Sequence, residues 1–151
     1  MVEPITSFRG DYDFLSNFYP SSVEMDGLIY PTVEHAFQAA KTHDPDQRSA
    51  FQNAKTPKGA KQMGRRIKRR PDWFDVSLVI MESLVRQKFT KYPDLRSKLL
   101  STGDTQLIEG NTWRDKFYGA IWDSKKFEWV GENHLGRILM KVRAELQVET
   151  T

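Results

Sequence analysis

The segment from Tyr30 to Lys41 constrains the fold of this chain more than any other stretch. Pro31 suits the first turn of a helix, where its missing N–H is no loss, and the Ala, Phe and Gln residues that follow favour continuing that helix. At about 3.6 residues per turn, Glu34, Gln38 and Lys41 then fall along one face. The sequence therefore predicts a helix that aligns a carboxylate and an amine two turns apart.

Two interpretations of this polar face are open. It is either a solvated stripe with a weak tendency to form ion pairs, as surface charges usually are, or a functional pair. In the functional interpretation, Lys41 is a nucleophile or an electrostatic clamp and Glu34 is its carboxylate partner. The helical period alone does not choose between the two.

Positive charge is concentrated in one segment. The chain has a net charge of +3, yet residues 55–70 carry eight basic side chains and no acidic one, which leaves the remainder with a net charge of −5. Such a segment on an acidic body predicts a localised anionic partner, although a solvated helix face is the alternative. The eight residues are Lys55, Lys58, Lys61, Arg65, Arg66, Lys68, Arg69 and Arg70.

Length and composition exclude several classes of protein. A chain of 151 residues predicts one domain over residues 1–151. The absence of cysteine excludes disulfides, thiolate nucleophiles and cysteine-ligated zinc. His35, His43 and His134 lack the spacing of a metal site, so we expect no metal and no cofactor. The start of the chain is unlike a secretory signal and no apolar run approaches ~20 residues, so we expect a cytoplasmic protein.

The expected fold class is α+β, a single compact and mostly helical domain with a few short antiparallel strands. Asp26-Gly27 predicts the type I′ turn of a hairpin over residues 23–30. Helices are predicted over residues 47–54, 57–68 and 135–146, and a weak strand over residues 105–110. Spacings of three and four predict a buried helical stripe that consists of Phe74, Leu78, Met81, Val85 and Phe89.

The pattern Tyr30-x-Thr32-x-Glu34-His35-x-x-Gln38-Ala39-x-Lys41 is similar to the signature of the YbiA-like (NADAR) family of N-glycosidases. Further blocks follow the family's order, and together the resemblance covers residues 8–143. These seven blocks are residues 14–18, 54–65, 88–89, 99–103, 107–109, 115–119 and 133–143.

This resemblance implies a reaction and three catalytic residues. Breaking an N-glycosidic bond passes through positive charge at C1′ and needs an acid for the leaving base. A lysine can also take over the ribose as a Schiff base that water later hydrolyses. The family resemblance implies this lysine chemistry for Lys41, with Glu34 as general acid and base and Asp115 as the second carboxylate. In isolation, Asp115 is an ordinary exposed acid beside Lys116.

Five further residues are candidates for binding substrate. Phe18 and Trp113 are candidates for stacking on a base, although ordinary core packing is the alternative for each. Asn17 suits a ribose hydroxyl or a base edge, and Glu109 serves either the site or the cap of a strand. Tyr118 stands where the family commonly has Trp, which affects substrate preference; residues 121–131 also differ from the short glycine-rich turn expected there.

The resemblance implies two groups of substrate. One is ADP-ribose attached to a nucleobase such as guanine in DNA or RNA, and the other is the ribosylamino-pyrimidine phosphates of early riboflavin synthesis. Both carry phosphate, so Lys58, Lys61 and Arg65 are predicted to contact phosphates or nucleic acid. A noncatalytic nucleic-acid-binding domain is the alternative from another class.

Overall fold

The computed structural model describes residues 2–150, without the side chain of Thr150. These residues form two compact units, of which one is Asn17–Lys91 and the other combines the residues up to Ser16 with those from Tyr92 onward. We call them the central unit and the terminal unit. The single domain expected from the chain length stays a prediction.

The central unit begins with a hairpin of β1 (Val23–Met25) and β2 (Leu28–Tyr30). Asp26 and Gly27 have φ values of 51° and 81°, as a type I′ turn requires, so the predicted hairpin is confirmed. Four helices follow in chain order: α1 (Val33–Ala39), α2 (Pro45–Gln52), α3 (Pro57–Gly64) and α4 (Trp73–Lys91). Helices α2, α3 and α4 and both strands pack against α1, which therefore occupies the centre of this unit.

Helix α1 differs from its prediction at both ends. Thr32 is the N-cap, because its side-chain oxygen accepts a hydrogen bond from the His35 N–H, and Pro31 lies before the helix rather than in its first turn. The helix ends at Ala39 with Ala40 as its C-cap. Lys41 is therefore in the turn that follows the helix, not on the helix itself.

Two neighbouring helices also have corrected bounds. Helix α2 begins at Pro45 instead of residue 47, because the Asp44 side chain accepts from the backbone N–H groups of Asp46 and Gln47. Helix α3 ends at Gly64 instead of residue 68. The basic residues beyond Arg65 consequently lie in turn and irregular backbone.

The buried stripe of α4 is only partly as predicted. Met81, Val85 and Phe89 are buried, but Phe74 is 86% exposed. Trp73 takes the inner position, and its ring packs 5.1 Å from that of Phe37, measured between centroids. Residues 73 and 74 point about 100° apart on a helix, so burying Trp73 turns Phe74 outward.

The terminal unit contains a 3₁₀ helix (Gly10–Leu15), α5 (Pro93–Ser101), the hairpin of β3 (Ile121–Asp123) and β4 (Glu128–Val130), and α6 (His134–Thr150). The predicted strand over residues 105–110 is wrong, since this segment forms only the isolated bridges Ile5–Leu107 and Gly110–Ala120 in the described residues. The predicted closing helix is confirmed and is longer than expected.

The fold class is confirmed as α+β and mostly helical. The described residues contain six α-helices and two antiparallel sheets of two strands each. Across residues 2–150, none of the helices combines the length and the apolar character needed to cross a bilayer.

Candidate active site

Glu34 lies in the first turn of α1 and is 8% exposed. Its backbone N–H donates to the carbonyl of Asn17 at 3.0 Å. Its Oε2 accepts a hydrogen bond from Gln38 Nε2 at 2.6 Å, one helical turn further along. The carboxylate is therefore held inside the central unit rather than on a solvated stripe, which contradicts the solvated interpretation of this face.

Lys41 is held through its backbone by Arg70. The Arg70 N–H donates to the Lys41 carbonyl at 2.7 Å, and Arg70 Nη1 donates to the Ala40 carbonyl at 3.4 Å. Asp72 in turn binds the Arg70 guanidinium at 2.6 and 2.9 Å through its two oxygens. The turn that carries Lys41 is thus fixed by a residue beyond α3.

The Lys41 amine lies in a half-buried, cationic environment. Its Nζ is 5.9 Å from the centroid of the Trp73 ring. Burial lowers the pKa of Lys41 below its ordinary value, Glu34 opposes that shift, and the nearby cations lower the pKa further. These cations are Arg69, Arg65 and Lys61. A lowered pKa increases the neutral fraction of the amine, which is the nucleophilic form.

We expect Arg69→Gln to raise the pKa of Lys41, because it removes a like charge that disfavours the ammonium. Any reaction that needs the neutral amine should then reach half of its maximal rate at a higher pH. The pH profile of reductive alkylation of Lys41 measures this midpoint. Arg66→Gln is the matched control, since Arg66 is not among the groups that shift the pKa of Lys41; equal midpoints for the two variants would contradict the assignment.

Gly64 brings the end of α3 against the two side chains of the site. A Cβ at this position would overlap the side-chain amide of Gln38 and lie 3.3 Å from Lys41 Nζ. The backbone of Gly64 has no positive φ, so glycine is required here for close approach rather than for an unusual conformation.

His35 has a structural role. Its ring lies between Thr32 Oγ1 at 2.8 Å and the Ala54 carbonyl at 2.9 Å. The carbonyl can only accept, so Nε2 carries the proton and Nδ1 accepts from the threonine hydroxyl. This arrangement joins the start of α1 to the segment that leads into α3.

Asp115 lies in the terminal unit, where it organises a turn. Its Oδ1 accepts from the backbone N–H groups of Phe117 at 3.0 Å and Tyr118 at 2.9 Å. Asn111 closes the same loop, because its side chain accepts from the Asp115 N–H at 2.9 Å and donates to the Asp115 carbonyl at 2.8 Å. The catalytic role predicted for Asp115 stays a prediction.

Glu109 belongs to the same unit and is fixed through its backbone. Its N–H donates to Asn133 Oδ1 at 3.0 Å, and its carbonyl accepts from the Ala120 N–H at 2.9 Å. Asn133 also donates to the Leu107 carbonyl at 2.9 Å, which locks this segment against the start of α6. Glu109 caps no strand, because residues 105–110 form none.

The two predicted stacking residues are not core residues. Phe18 is 37% exposed and Trp113 is 51% exposed, so the alternative of ordinary core packing is wrong for both. The Arg9 guanidinium lies 6.0 Å from the centroid of the Trp113 ring. Tyr118 is half-buried, and its ring meets that of Phe117 edge-on at 4.8 Å. Asn17 is buried beside the start of α1.

The predicted phosphate-contacting residues have different environments. Lys58 and Arg65 are exposed and Lys61 is half-buried. Lys61 and Arg65 act electrostatically on Lys41, whereas Lys58 is not among its perturbing groups. In the described part of the chain, no group of three or more His, Asp or Glu side chains is placed to hold a metal ion.

The structure therefore groups Glu34, Gln38 and Lys41 inside the central unit, and it adds residues that the sequence did not indicate. Gln38 had a detectable signal, since it lies one turn from Glu34 on the predicted face. The other additions are Gly64, Arg69, Arg70 and Trp73. The family blocks and the basic segment had included the first three, but no local signal placed any of the four beside Lys41.

Comparison with known proteins shows the family of this chain. A model of the NADAR domain matches residues 7–147. The chain belongs to the NADAR family. It is 38% identical to a riboflavin biosynthesis protein of Vibrio vulnificus over 97% of this chain, but it spans only 40% of that protein's length. It is 35% identical to the N-glycosidase YbiA of Shigella boydii, over 95% of this chain and 87% of that protein.

A solved NADAR structure has the same fold. The NMR structure of the Escherichia coli protein YbiA matches this chain with a TM-score of 0.81 and 34% sequence identity, over 99% of this chain and 89% of that one. The family resemblance read from the sequence motifs is confirmed by these matches.

Proposed function

We propose that this NADAR protein is an N-glycosidase that hydrolyses N-ribosyl bonds through a covalent imine on Lys41. The class of reaction is that of its relative, the N-glycosidase YbiA. The observation that supports this mechanism is the lowered pKa of the Lys41 amine, which is caused by burial and by neighbouring cations. The amine also lies in the same unit as the buried Glu34.

The proposed reaction uses water once and regenerates the enzyme. The neutral Lys41 amine forms a bond to C1′ while the bond from C1′ to the base nitrogen breaks, and Glu34 gives a proton to that nitrogen. The C1′–O4′ bond then opens, O4′ takes the proton lost by Nζ, and C1′ and Nζ form an imine. Glu34 takes a proton from the water as it adds to C1′, which restores its acid form, and collapse of the adduct releases the sugar aldehyde and the neutral Lys41 amine.

Asp115 is the proposed second carboxylate, on the strength of the family motif in which it stands. A negative charge of this kind would stabilise the positive charge that develops at C1′. Asn17, Phe18, Glu109, Trp113 and Tyr118 are proposed to contact the substrate.

ADP-ribose on a nucleobase, such as guanine in DNA or RNA, is the proposed substrate. The basic segment supports a substrate rich in phosphate, because eight cations lie within sixteen residues without an acid. Ribosylamino-pyrimidine phosphates are the second candidate, and the riboflavin biosynthesis protein of Vibrio vulnificus among the relatives favours them. A cytoplasmic location is part of the same proposal.

The deciding experiment offers both substrates to the same preparation. ADP-ribosyl-guanine DNA and a ribosylamino-pyrimidine phosphate are incubated in parallel, and the released base is measured by mass spectrometry. The substrate with the higher kcat/KM identifies the group. Binding of DNA without release of any base, unchanged in Lys41→Ala, would instead favour a noncatalytic nucleic-acid-binding domain.

We expect replacement of Lys58, Lys61 and Arg65 by Gln to weaken binding of modified DNA about equally for all sequences. Each phosphate contact that is lost should reduce the slope of log affinity against log salt by about one unit. Binding across a salt series, for the wild type and the triple variant, measures this slope.

Lys58→Gln alone separates phosphate binding from the electrostatics of Lys41. Because Lys61 and Arg65 lower the pKa of Lys41, the triple variant should also react with an altered pH profile, whereas Lys58→Gln should change the salt slope without changing that profile. Identical salt slopes for the wild type and both variants would make the basic segment a solvated surface and would favour the small metabolite.

A further inference from the structure

Gln38 has an unusual hydrogen-bonding state for a residue so deeply buried. It is 4% exposed, and its Nε2 donates to Glu34 Oε2 at 2.6 Å. Its Oε1 is buried and accepts no hydrogen bond from any described residue. A buried acceptor without a donor destabilises the fold, so a native site that keeps one calls for an explanation.

The hydrogen bond to Glu34 fixes which way the Gln38 amide points. Glu34 is ionised once it has given its proton to the leaving base, and an ionised carboxylate can only accept, so at the imine stage the NH₂ group must face Glu34 and the carbonyl oxygen must face away from it. Exchanging the two ends of the amide would place an oxygen against Glu34 and remove the bond. Gln38 Oε1 therefore accepts no hydrogen bond from the described residues because the NH₂ group of the same amide is directed at Glu34.

This vacant acceptor faces the same place as the Lys41 amine. Gln38 Oε1 and Lys41 Nζ both lie within 3.3 Å of the point where a Cβ of residue 64 would stand, and the missing Cβ of Gly64 leaves room for the Gln38 amide there. Both atoms therefore lie beside Gly64, and the hydrogen bond requires a change in the Lys41 side-chain torsions that brings an N–H of Nζ to the oxygen.

We infer that Gln38 is a further catalytic residue, whose NH₂ group holds Glu34 and whose Oε1 accepts the N–H of Lys41 once Nζ is bonded to C1′. This inference rests on the proposed function. A protonated imine carries positive charge and a single N–H, and a hydrogen bond from such a group is stronger than one between neutral partners. An acceptor that is already in place when the charge develops stabilises the intermediate without reorganisation.

The test uses ribose 5-phosphate, the phosphorylated sugar that both proposed substrate groups contain. Its open-chain aldehyde and the neutral Lys41 amine condense to an imine and one water. Cyanoborohydride then adds hydride to the imine carbon and leaves a stable secondary amine. Intact-protein mass gives the rate of adduct formation, and peptide mapping shows whether the sugar is on Lys41.

Two variants of Gln38 distinguish hydrogen bonding from packing. Gln38→Met keeps the approximate volume but has no hydrogen-bonding groups, and it should slow adduct formation ~10²-fold at every pH, the scale for losing one preorganised interaction with a developing charge. Gln38→Glu can imitate glutamine when its carboxyl is protonated, because the O–H then donates to Glu34 and the C=O accepts.

The rate of adduct formation by Gln38→Glu, divided by the wild-type rate, should therefore rise as the pH is lowered. When the introduced carboxyl is ionised, it repels Glu34 and cannot hold it. Burial and Glu34 favour its protonated form, while the cations that surround Lys41 favour ionisation. Those cations are Lys61, Arg65, Arg69 and Lys41 itself. An ionised carboxylate at position 38 also raises the pKa of Lys41, so each rate is first divided by the neutral fraction of Lys41 in the same protein, taken from the pH profile of its reductive methylation.

A control glutamine lies in the same unit. Gln52 is the last residue of α2, and its Nε2 donates to the Ile29 carbonyl at 3.0 Å. Gln52→Met should therefore form the adduct at the wild-type rate. Melting curves show whether each variant is folded. If Gln38→Met does not fold, the pH dependence of Gln38→Glu alone tests the inference.

The possible outcomes separate this inference from the proposed function. If the wild type forms no adduct on Lys41, the proposed imine mechanism and the role of Gln38 are both overturned, since Gln38 is inferred to act on that imine. If the wild type forms the adduct and Gln38→Met forms it equally fast, or if the ratio for Gln38→Glu does not change with pH, only the role of Gln38 is overturned. Its amide would then merely fill space beside Gly64.

Discussion

Lys41→Ala should lose at least ~10³-fold in kcat on the substrate that the wild type hydrolyses, as removal of a covalent nucleophile does. The reason is that the proposed reaction passes through a bond between Nζ and C1′, which no neighbouring side chain can replace at that position. Borohydride added during turnover should trap the sugar on Lys41 in the wild type and nowhere in the variant. Steady-state rates and peptide mass spectra measure both effects.

Lys41→Arg is the informative partner of this variant. Arginine keeps the positive charge and its contact with the Trp73 ring, but it does not form an imine. A nucleophilic Lys41 predicts that the Arg variant is as inactive as the Ala variant, whereas an electrostatic clamp predicts that it keeps much of the activity. Lys125→Ala, in the exposed turn of the β3–β4 hairpin, should behave as the wild type. Full activity in Lys41→Ala would exclude the imine mechanism.

Glu34→Gln should slow hydrolysis by ~10²–10⁴-fold, the usual contribution of a general acid and base. The fold should be retained, because the introduced amide oxygen can still accept the hydrogen bond from Gln38 Nε2 that Oε2 accepts now. The helix itself depends on the backbone bond from residue 34 to the Asn17 carbonyl, which the substitution leaves intact. Single-turnover rates and melting curves measure the two properties separately.

An exposed glutamate provides the matched control for this substitution. Glu24 lies on β1 in the same unit and is exposed, so Glu24→Gln should leave both the rate and the melting temperature unchanged. If Glu34→Gln lowers the melting temperature sharply while the folded fraction keeps its specific activity, Glu34 is a structural residue and the general acid must be sought elsewhere.

Local sequence signals were sufficient for much of the secondary structure. Asp26-Gly27 specifies a turn with two positive φ angles, and Pro57 lies at the predicted start of α3. Such signals act over a few residues, so they are visible without the rest of the chain. They also made Glu34 and Gln38 neighbours, since a spacing of four residues is one turn of helix.

The environment of Lys41 could not be predicted from such local signals. The helical period placed it on α1, but the helix ends two residues earlier and the lysine is positioned by Arg70, Trp73 and Gly64. Contacts of this kind join residues that are 23 or more positions apart, and one sequence contains no signal for them. The same cause explains Phe74, since tertiary packing selected Trp73 for the inner side of α4.

The bond from the Arg70 N–H to the Lys41 carbonyl has a consequence for the order in which the protein is made. During synthesis, the residues of α1 leave the ribosome well before Arg70 does, so the turn that carries Lys41 has no fixed backbone at that stage. The backbone of this turn becomes fixed when α3 has formed and the Arg70 N–H has reached the Lys41 carbonyl. That hydrogen bond closes a loop of about thirty residues at an entropic cost. The Lys41 amine therefore reaches its half-buried environment only after the basic segment has been synthesised, since a nascent chain that stops short of Arg70 contains the lysine but not the groups that surround it.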